Sequence, residues 1–256
     1  MKYFFKELGK IKKKIKGYKI LLCLDYDGTL TPIVKKPEYA KLGQNIKHAL
    51  ENIKSNKNII LAIISGRTLS GIKKLVNLRN VIYAGNHGFE IEIGRDVFIH
   101  RGLKEAIPII SKIKKAISKK IKGIRGAFIE DKEFTLSIHW RLVKKKYLNK
   151  LFLIIKNIIH NNSKIRLTIG KKVWEIRPNI AWDKGKAVEL IYSKVNKNNN
   201  LKIIYIGDDT TDEDAFSVLK KEITIKIGKS NKSKAKYYLK KQSEIKNILN
   251  LLSNIG

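Results

Sequence analysis

Residues 20–31 read Ile20-Leu21-Leu22-Cys23-Leu24-Asp25-Tyr26-Asp27-Gly28-Thr29-Leu30-Thr31: an unbroken apolar run, then two carboxylates two positions apart, then a glycine turn. A continuous apolar run before such a turn predicts a strand buried on both faces, as in a parallel sheet. Ligands in open α/β sheets sit just beyond the carboxyl ends of the strands. Asp25 and Asp27 therefore fall where chemistry occurs in that architecture. An Asx-type turn without catalytic meaning has the same composition, so the rest of the chain must decide.

Three more stretches follow the same grammar. Asn58 to Ile64 is apolar and empties into Ser65-Gly66-Arg67, with a helix from Thr68 to Leu75. Backbone N–H groups at that junction favour an anion, although Ser65 also fits an ordinary helix N-cap. Val81 to Ala84 ends in Gly85-Asn86-His87-Gly88, where His87 either touches a ligand or makes a structural hydrogen bond. Leu201 to Ile206 ends in Gly207-Asp208-Asp209-Thr210-Thr211-Asp212-Glu213-Asp214. In a parallel sheet these four ends share one edge. Together with Lys184, they supply a nucleophile, a hydroxyl with backbone amides, an amine, and carboxylates for a hard cation. Mg²⁺ takes one or two carboxylates plus phosphate oxygens, so the set suits phosphoryl transfer.

Between these stretches the grammar changes. Leu103 to Ile121 has helical spacing, strand-like segments follow at Ala127 to Ile129 and Phe134 to Trp140, and Lys145 to His160 is helical again. Ile165 to Ile169 and Lys172 to Ile176 are strand-like. The order helix, strand, strand, helix, strand, strand predicts an antiparallel sheet with helices on one side. The expected organisation is a core of 1–101 and 179–256, interrupted by an inserted α+β domain of 102–178. A hairpin is expected over Phe89 to Ile99, and further helices over Gln44 to Asn56, Lys186 to Val195, Glu213 to Leu219 and from Ser243 onward.

The net charge is +33 over 256 residues. It invites a nucleic-acid reading, but the lysines are spread over nearly every element and no nucleic-acid motif accompanies them. Two departures from this lysine bias are informative. Only eight basic residues are Arg, and Arg67, Arg141 and Arg177 lie in the motifs discussed here. Asp208, Asp209, Asp212, Glu213 and Asp214 invert the local charge, which a cation or a lysine must neutralise. Met1 to Lys19 predicts a short basic amphipathic helix without the apolar core of a secretory signal. Cys23 reads as a packing residue. No apolar run approaches the roughly 18 residues of a membrane span. A cytoplasmic location is the expectation.

The four motifs resemble those of the haloacid dehalogenase phosphohydrolases: Asp25-x-Asp27-Gly28-Thr29, Ser65, Lys184, and Gly207-Asp208-Asp209 with Asp212. The resemblance is closer to the trehalose-6-phosphate phosphatase family. It is carried by Leu24 to Ile33, Ile64-Ser65-Gly66-Arg67, Gly85-Asn86-His87-Gly88, Glu130-Asp131-Lys132 with His139-Trp140-Arg141, and Gly207 to Phe216. The resemblance implies a Rossmann-like α/β core and an αββαββ cap of the C2B type that closes over a sugar. It implies Asp25 as nucleophile, Asp27 as acid and base, Ser65 and Lys184 on the transferring phosphoryl group, and Mg²⁺ on Asp25, the Asp27 carbonyl and Asp208, with Asp209 and Asp212 in support. It implies substrate contacts from Gly66, Arg67, Asn86, His87, Glu130, Lys132, Arg141, Lys172 and Glu175, the last two within Gly170-Lys171-Lys172-Val173-Trp174-Glu175. Trp140 stands where the family often has Tyr, and Trp140 and Trp174 are expected to pack between sheet and helices. With no glycosyltransferase segment in the sequence, a separate synthase is the implied source of substrate. Sucrose-phosphate or mannosyl-phosphoglycerate hydrolysis, a hexose phosphomutase, and a polyanion binder with a dead site are the alternatives.

Overall fold

The computed structural model describes residues 1–34, 36–170 and 172–254. In chain order the elements are β1 (Lys2–Tyr3), α1 (Leu8–Ile15), β2 (Lys19–Leu24), α2 (Gln44–Ser55), β3 (Ile59–Ile64), α3 (Leu69–Val76), β4 (Ile82–Gly85), β5 (Glu90–Ile93) and β6 (Asp96–Ile99). Then come α4 (Leu103–Ile121), β7 (Phe128–Asp131), β8 (Leu136–His139), α5 (Leu148–Ile159), β9 (Ile165–Gly170) and β10 (Val173–Pro178). The chain closes with α6 (Lys184–Val195), β11 (Leu201–Gly207), α7 (Asp212–Val218), β12 (Ile223–Ile227), β13 (Tyr237–Leu239) and α8 (Ile245–Ser253). Two compact units result: Met1–Phe98 with Trp182–Gly256, and Ile99–Ala181.

In the first unit the sheet order is β1-β13-β12-β11-β2-β3-β4-β5-β6. The strand pairs from β1 across to β4 are parallel, and β5 turns antiparallel to β4. The apolar run of β2 is explained by its two faces. Ile20, Leu22 and Leu24 pack with α2, α3 and α8, whereas Leu21 and Cys23 pack with α6 and α7. Neither face meets water, so alternation of polar residues disappears. Burial pushes the Cys23 thiol up, consistent with a packing role. The ladder runs one residue past Leu24, where the Asp25 N–H donates to the Ile206 carbonyl at 3.0 Å. The first carboxylate is thus fixed at the strand's end by the sheet itself.

In the second unit β7-β8-β10-β9 form an antiparallel sheet. One face packs Leu136, Ile138, Trp174 and Ile176 against Ile110, Ile113 and Ile117 of α4 and Leu151 and Ile155 of α5. The opposite face carries Glu130, Ser137 and Glu175 at paired register positions. The Trp140 and Trp174 rings lie 5.3 Å apart, tilted by 37°, in that apolar layer, with Phe152 edge-on to Trp174 at 5.1 Å.

The ends of the chain differ from a pure helix reading. Lys2 and Tyr3 add a parallel strand beside β13, before α1 begins. Phe4, Ile11 and Ile15 are then fully buried against the core. The amphipathic pattern of α1 was visible, but a two-residue edge strand has no periodicity to detect. β13 was hidden for the same reason, being three residues in a lysine-rich segment.

Candidate active site

The site grows from the turn after β2. The Tyr26 carbonyl accepts the N–H groups of Leu30 and Thr31 at 3.0 Å each, and the buried Tyr26 hydroxyl donates to the Ala40 carbonyl at 2.8 Å. Gly28 sits at φ +92°, a region that disfavours side chains. A Cβ there would lie 2.3 Å from Asp208 Oδ2, so the glycine lets the motif after β11 close on the turn after β2. Gly207 plays the matching part, since a Cβ on it would fall 2.2 Å from the Asp212 Cγ.

Lys184 opens α6, whose N-cap Asp183 accepts from the Lys186 N–H at 2.9 Å. Its Nζ donates to Asp25 Oδ1 and Asp212 Oδ1, at 2.7 Å each. Asp212 is fully engaged. Its Oδ1 also accepts the Tyr205 hydroxyl at 2.8 Å, and its Oδ2 accepts the N–H groups of Asp208 and Asp209 at 2.9 Å each. Its part is to hold Lys184 and shape the 208–209 loop. Asp209 accepts the Thr210 N–H at 2.7 Å. Lys226 donates to the Asp208 carbonyl at 2.9 Å and pairs with Glu213 at 3.2 Å. The local excess of acid is therefore met by two lysines from separate elements.

Burial, opposed by Lys184 and reinforced by Asp212 and Asp208, holds the Asp25 carboxyl well above the usual carboxylate range. Burial also works against charge on Lys184, yet Asp212 and Asp25 keep its ammonium above the ordinary value. Asp212 stays below the usual range despite burial, because Lys184, the Asp209 amide and Tyr205 all favour its ionised form. Asp25 is the member of the network left wanting positive charge. Its Oδ2 is buried and has no hydrogen-bond partner among the described residues. Carboxylate oxygens of Asp25, Asp208 and Asp212 lie within 4.8 Å of one another, all from buried residues. A hard divalent cation fits this donor set, with Asp25 and Asp208 as the carboxylates available to it.

Ser65 is buried, and its Oγ accepts the Arg67 N–H at 3.2 Å. The cap of α3 is Thr68, whose Oγ1 accepts from the Gly71 N–H at 3.0 Å, so Ser65 is not the N-cap. Arg67 reaches back to Asp27 through two short bonds, Nε to Oδ2 at 2.7 Å and Nη2 to Oδ1 at 2.6 Å. His87 is buried with φ +58°, and a Cβ on Gly66 would lie 2.7 Å from its ring. Asn86 is fully buried and its amide donates to Glu90 at 2.6 Å, so it builds the loop.

In the second unit, Lys132 and Glu175 form a buried ion pair at 3.0 Å, with Ser137 Oγ 3.4 Å from the same carboxylate. Glu130 pairs with His139 at 2.8 Å, and the His139 ring stacks on Phe128 at 4.4 Å. Arg141 is half-buried in the turn after β8, and Lys172 is exposed at φ +61°. Lys171, part of the same expected loop, lies outside the described residues.

The trehalose-phosphatase family model matches residues 23–243. The chain belongs to the trehalose-phosphatase family. It is 37% identical over 248 residues to "Probable trehalose-phosphate phosphatase 4" of Oryza sativa subsp. japonica, spanning 93% of this chain and 67% of that one. It is 34% identical over 252 residues to "Trehalose-phosphate phosphatase B" of Arabidopsis thaliana, with the same coverage. The fold matches the C-terminal domain of the C. albicans trehalose-6-phosphate phosphatase with a TM-score of 0.83 at 22% identity, covering 96% of each chain.

Two residues of this trehalose-phosphatase site escaped sequence reasoning. Tyr205 sits inside an apolar strand, where an aromatic reads as packing. Lys226 is one lysine among many. Tyr205→Phe removes the hydroxyl that Asp212 accepts. Hydrogen bonds to charged groups contribute about 1.5–3 kcal/mol, so the denaturant midpoint is expected to fall accordingly at unchanged slope. An unchanged midpoint would remove Tyr205 from the network that holds Asp212.

Proposed function

We propose that the protein hydrolyses trehalose 6-phosphate to trehalose and inorganic phosphate, with Mg²⁺ as cofactor and an aspartyl-phosphate on Asp25 as intermediate. Family membership supports the reaction class. The observation that carries the mechanism is the buried Asp25, with one oxygen on Lys184 and the other open. Asp25 and Asp208 would hold Mg²⁺, which would supply positive charge to offset the repulsion between the phosphate ester and the nucleophile.

The chain's own groups do the rest. The Asp25 oxygen attacks phosphorus while the bond from phosphorus to the sugar oxygen breaks, and Asp27 gives its proton to that leaving oxygen. Water then attacks the phosphoryl group, its proton passes to Asp27, and the bond from Asp25 to phosphorus breaks. Lys184 holds Asp25 in place and offsets the meeting of two anions. Ser65 donates to a phosphoryl oxygen, and the Gly66 N–H of the same turn favours the same anion. Glu130, Lys132, Arg141, Lys172 and Glu175 are the groups assigned to sugar hydroxyls. The buried Lys132–Glu175 pair and the Glu130–His139 pair support this, since paired polar groups hold fixed directions for hydrogen bonding. His87 and Gly66 shape the phosphate turn.

The test is phosphate release from trehalose 6-phosphate, sucrose 6-phosphate, mannosyl-phosphoglycerate and glucose 6-phosphate. Trehalose 6-phosphate should have the highest kcat/KM, activity should vanish with a chelator, and Mg²⁺ should restore it. Equal or better turnover of another ester overturns the substrate assignment. Conversion of a hexose phosphate to its isomer without phosphate release identifies a mutase. Full activity in chelator overturns the metal assignment.

A further inference from the structure

Arg67 stands out against the composition of the chain. With eight Arg in a chain whose Lys and Arg together number 55, a guanidinium at this position is a departure from the prevailing lysine. Its geometry uses what lysine lacks. Two of its nitrogens meet the two Asp27 oxygens at 2.7 and 2.6 Å, and Nη2 also donates to the Pro37 carbonyl at 3.0 Å. The guanidinium carbon lies 5.4 Å from the centroid of the Tyr26 ring, within cation–π range. The backbone is anchored as well: the Arg67 N–H donates to Ser65 Oγ, and its carbonyl accepts the Asn86 N–H at 2.6 Å. The Arg67 side chain is only 13% exposed, whereas that of Asp27 is 42% exposed.

Asp27 therefore sits on an open turn, where its carboxylate would otherwise rotate freely. An Asp carboxylate has about four acceptor sites, and a side-on fork uses one on each oxygen. The remaining site on each oxygen stays open for proton traffic. The fork also fixes the plane of the carboxylate. We propose that Arg67 is a positioning residue that aims the Asp27 carboxylate and keeps it competent as the base of the second chemical step. This rests on the two-step reading of the site given above. The resemblance implied a substrate contact for Arg67; in this reading its fork goes to Asp27.

The test compares the wild-type enzyme with Arg67→Lys, which keeps the charge and loses the planar fork. On the sugar phosphate, kcat should fall about 10- to 100-fold, the scale of a misplaced catalytic group, with KM changed by less than about threefold. p-Nitrophenyl phosphate then isolates the second step. Its leaving group departs without an acid, but water still needs the base. Arg67→Lys should release close to one p-nitrophenolate per site in a rapid phase, followed by slow turnover. The rapid phase also counts folded, competent sites, so a misfolded variant cannot imitate it. In an Asp27→Asn background the Lys substitution should cost little more, because there is no longer a base to aim.

Wild-type kcat in Arg67→Lys overturns the proposal, as does a raised KM at unchanged kcat, which makes Arg67 a substrate ligand. A lowered kcat without the rapid phase overturns it too, since the second step is then not the one affected. Failure of the wild-type enzyme to hydrolyse either ester would instead count against the two-step reading itself, so the two failures are distinguishable.

Discussion

Asp25→Asn is expected to lose phosphate release by about 10⁴-fold or more, the scale on which loss of a covalent nucleophile acts. The amide is nearly isosteric but does not attack phosphorus. The fold should survive. Asp25 is held well above the usual carboxylate range, first by burial and then by Asp212 and Asp208, so its ionisation opposes folding near neutrality. A group raised in this way contributes stability below its unfolded value and loses it as pH climbs through the folded one. Removing its charge should leave the neutral-pH thermal midpoint of the metal-free enzyme unchanged or higher. Lys184 keeps its 2.7 Å partner Asp212 in the variant. Thermal unfolding together with a phosphate-release assay checks both halves. A variant that keeps turning over substrate shows that Asp25 is not the nucleophile.

Lys184→Met should act in the opposite way on stability. Lys184 is 2% exposed and bridges two buried carboxylates. Removing one partner of a buried ion pair costs about 3–5 kcal/mol, because the remaining charge has no compensation. For a chain of this size each kcal/mol lowers the midpoint by about 2–4 °C, so a drop on the order of 10 °C is expected. Activity should fall with it, since the orientation of Asp25 depends on the same ammonium. The contrast is diagnostic. Two substitutions in one network abolish activity, but only the one that removes the cation should destabilise the fold. Equal midpoints for wild type and Lys184→Met would mean that solvent or relaxation already screens the pair.

The main strands were legible because burial on both faces leaves a simple mark, an unbroken apolar run such as Ile20 to Leu24. The points of chemistry were legible because those runs end in residues that packing does not demand: Asp25, Ser65 and Asp208. Sequence could not show how these residues divide the work. The pairing of Arg67 with Asp27 joins positions forty residues apart across the sheet edge. The four bonds that occupy Asp212 depend on how the 208–209 loop folds back over it. The resemblance implies Asn86 as a substrate contact, and sequence could not show that its amide also donates to Glu90. The edge strand β1 and its neighbour β13 were missed because two or three residues carry no period. In the second unit the antiparallel order was readable from alternation, while the Lys132–Glu175 pair, 43 residues apart, needed the register of β8 and β10.

The most direct measurement is an acid-quenched reaction of Asp27→Asn with p-nitrophenyl phosphate, whose leaving group needs no acid, followed by peptide mapping. With the second-step base removed, the phosphoryl group should accumulate on the peptide carrying Asp25, and fragmentation should place it on that side chain. Phosphate released without any phosphorylated enzyme, or a phosphoryl group found on Ser65 or His87, would contradict an attack by Asp25.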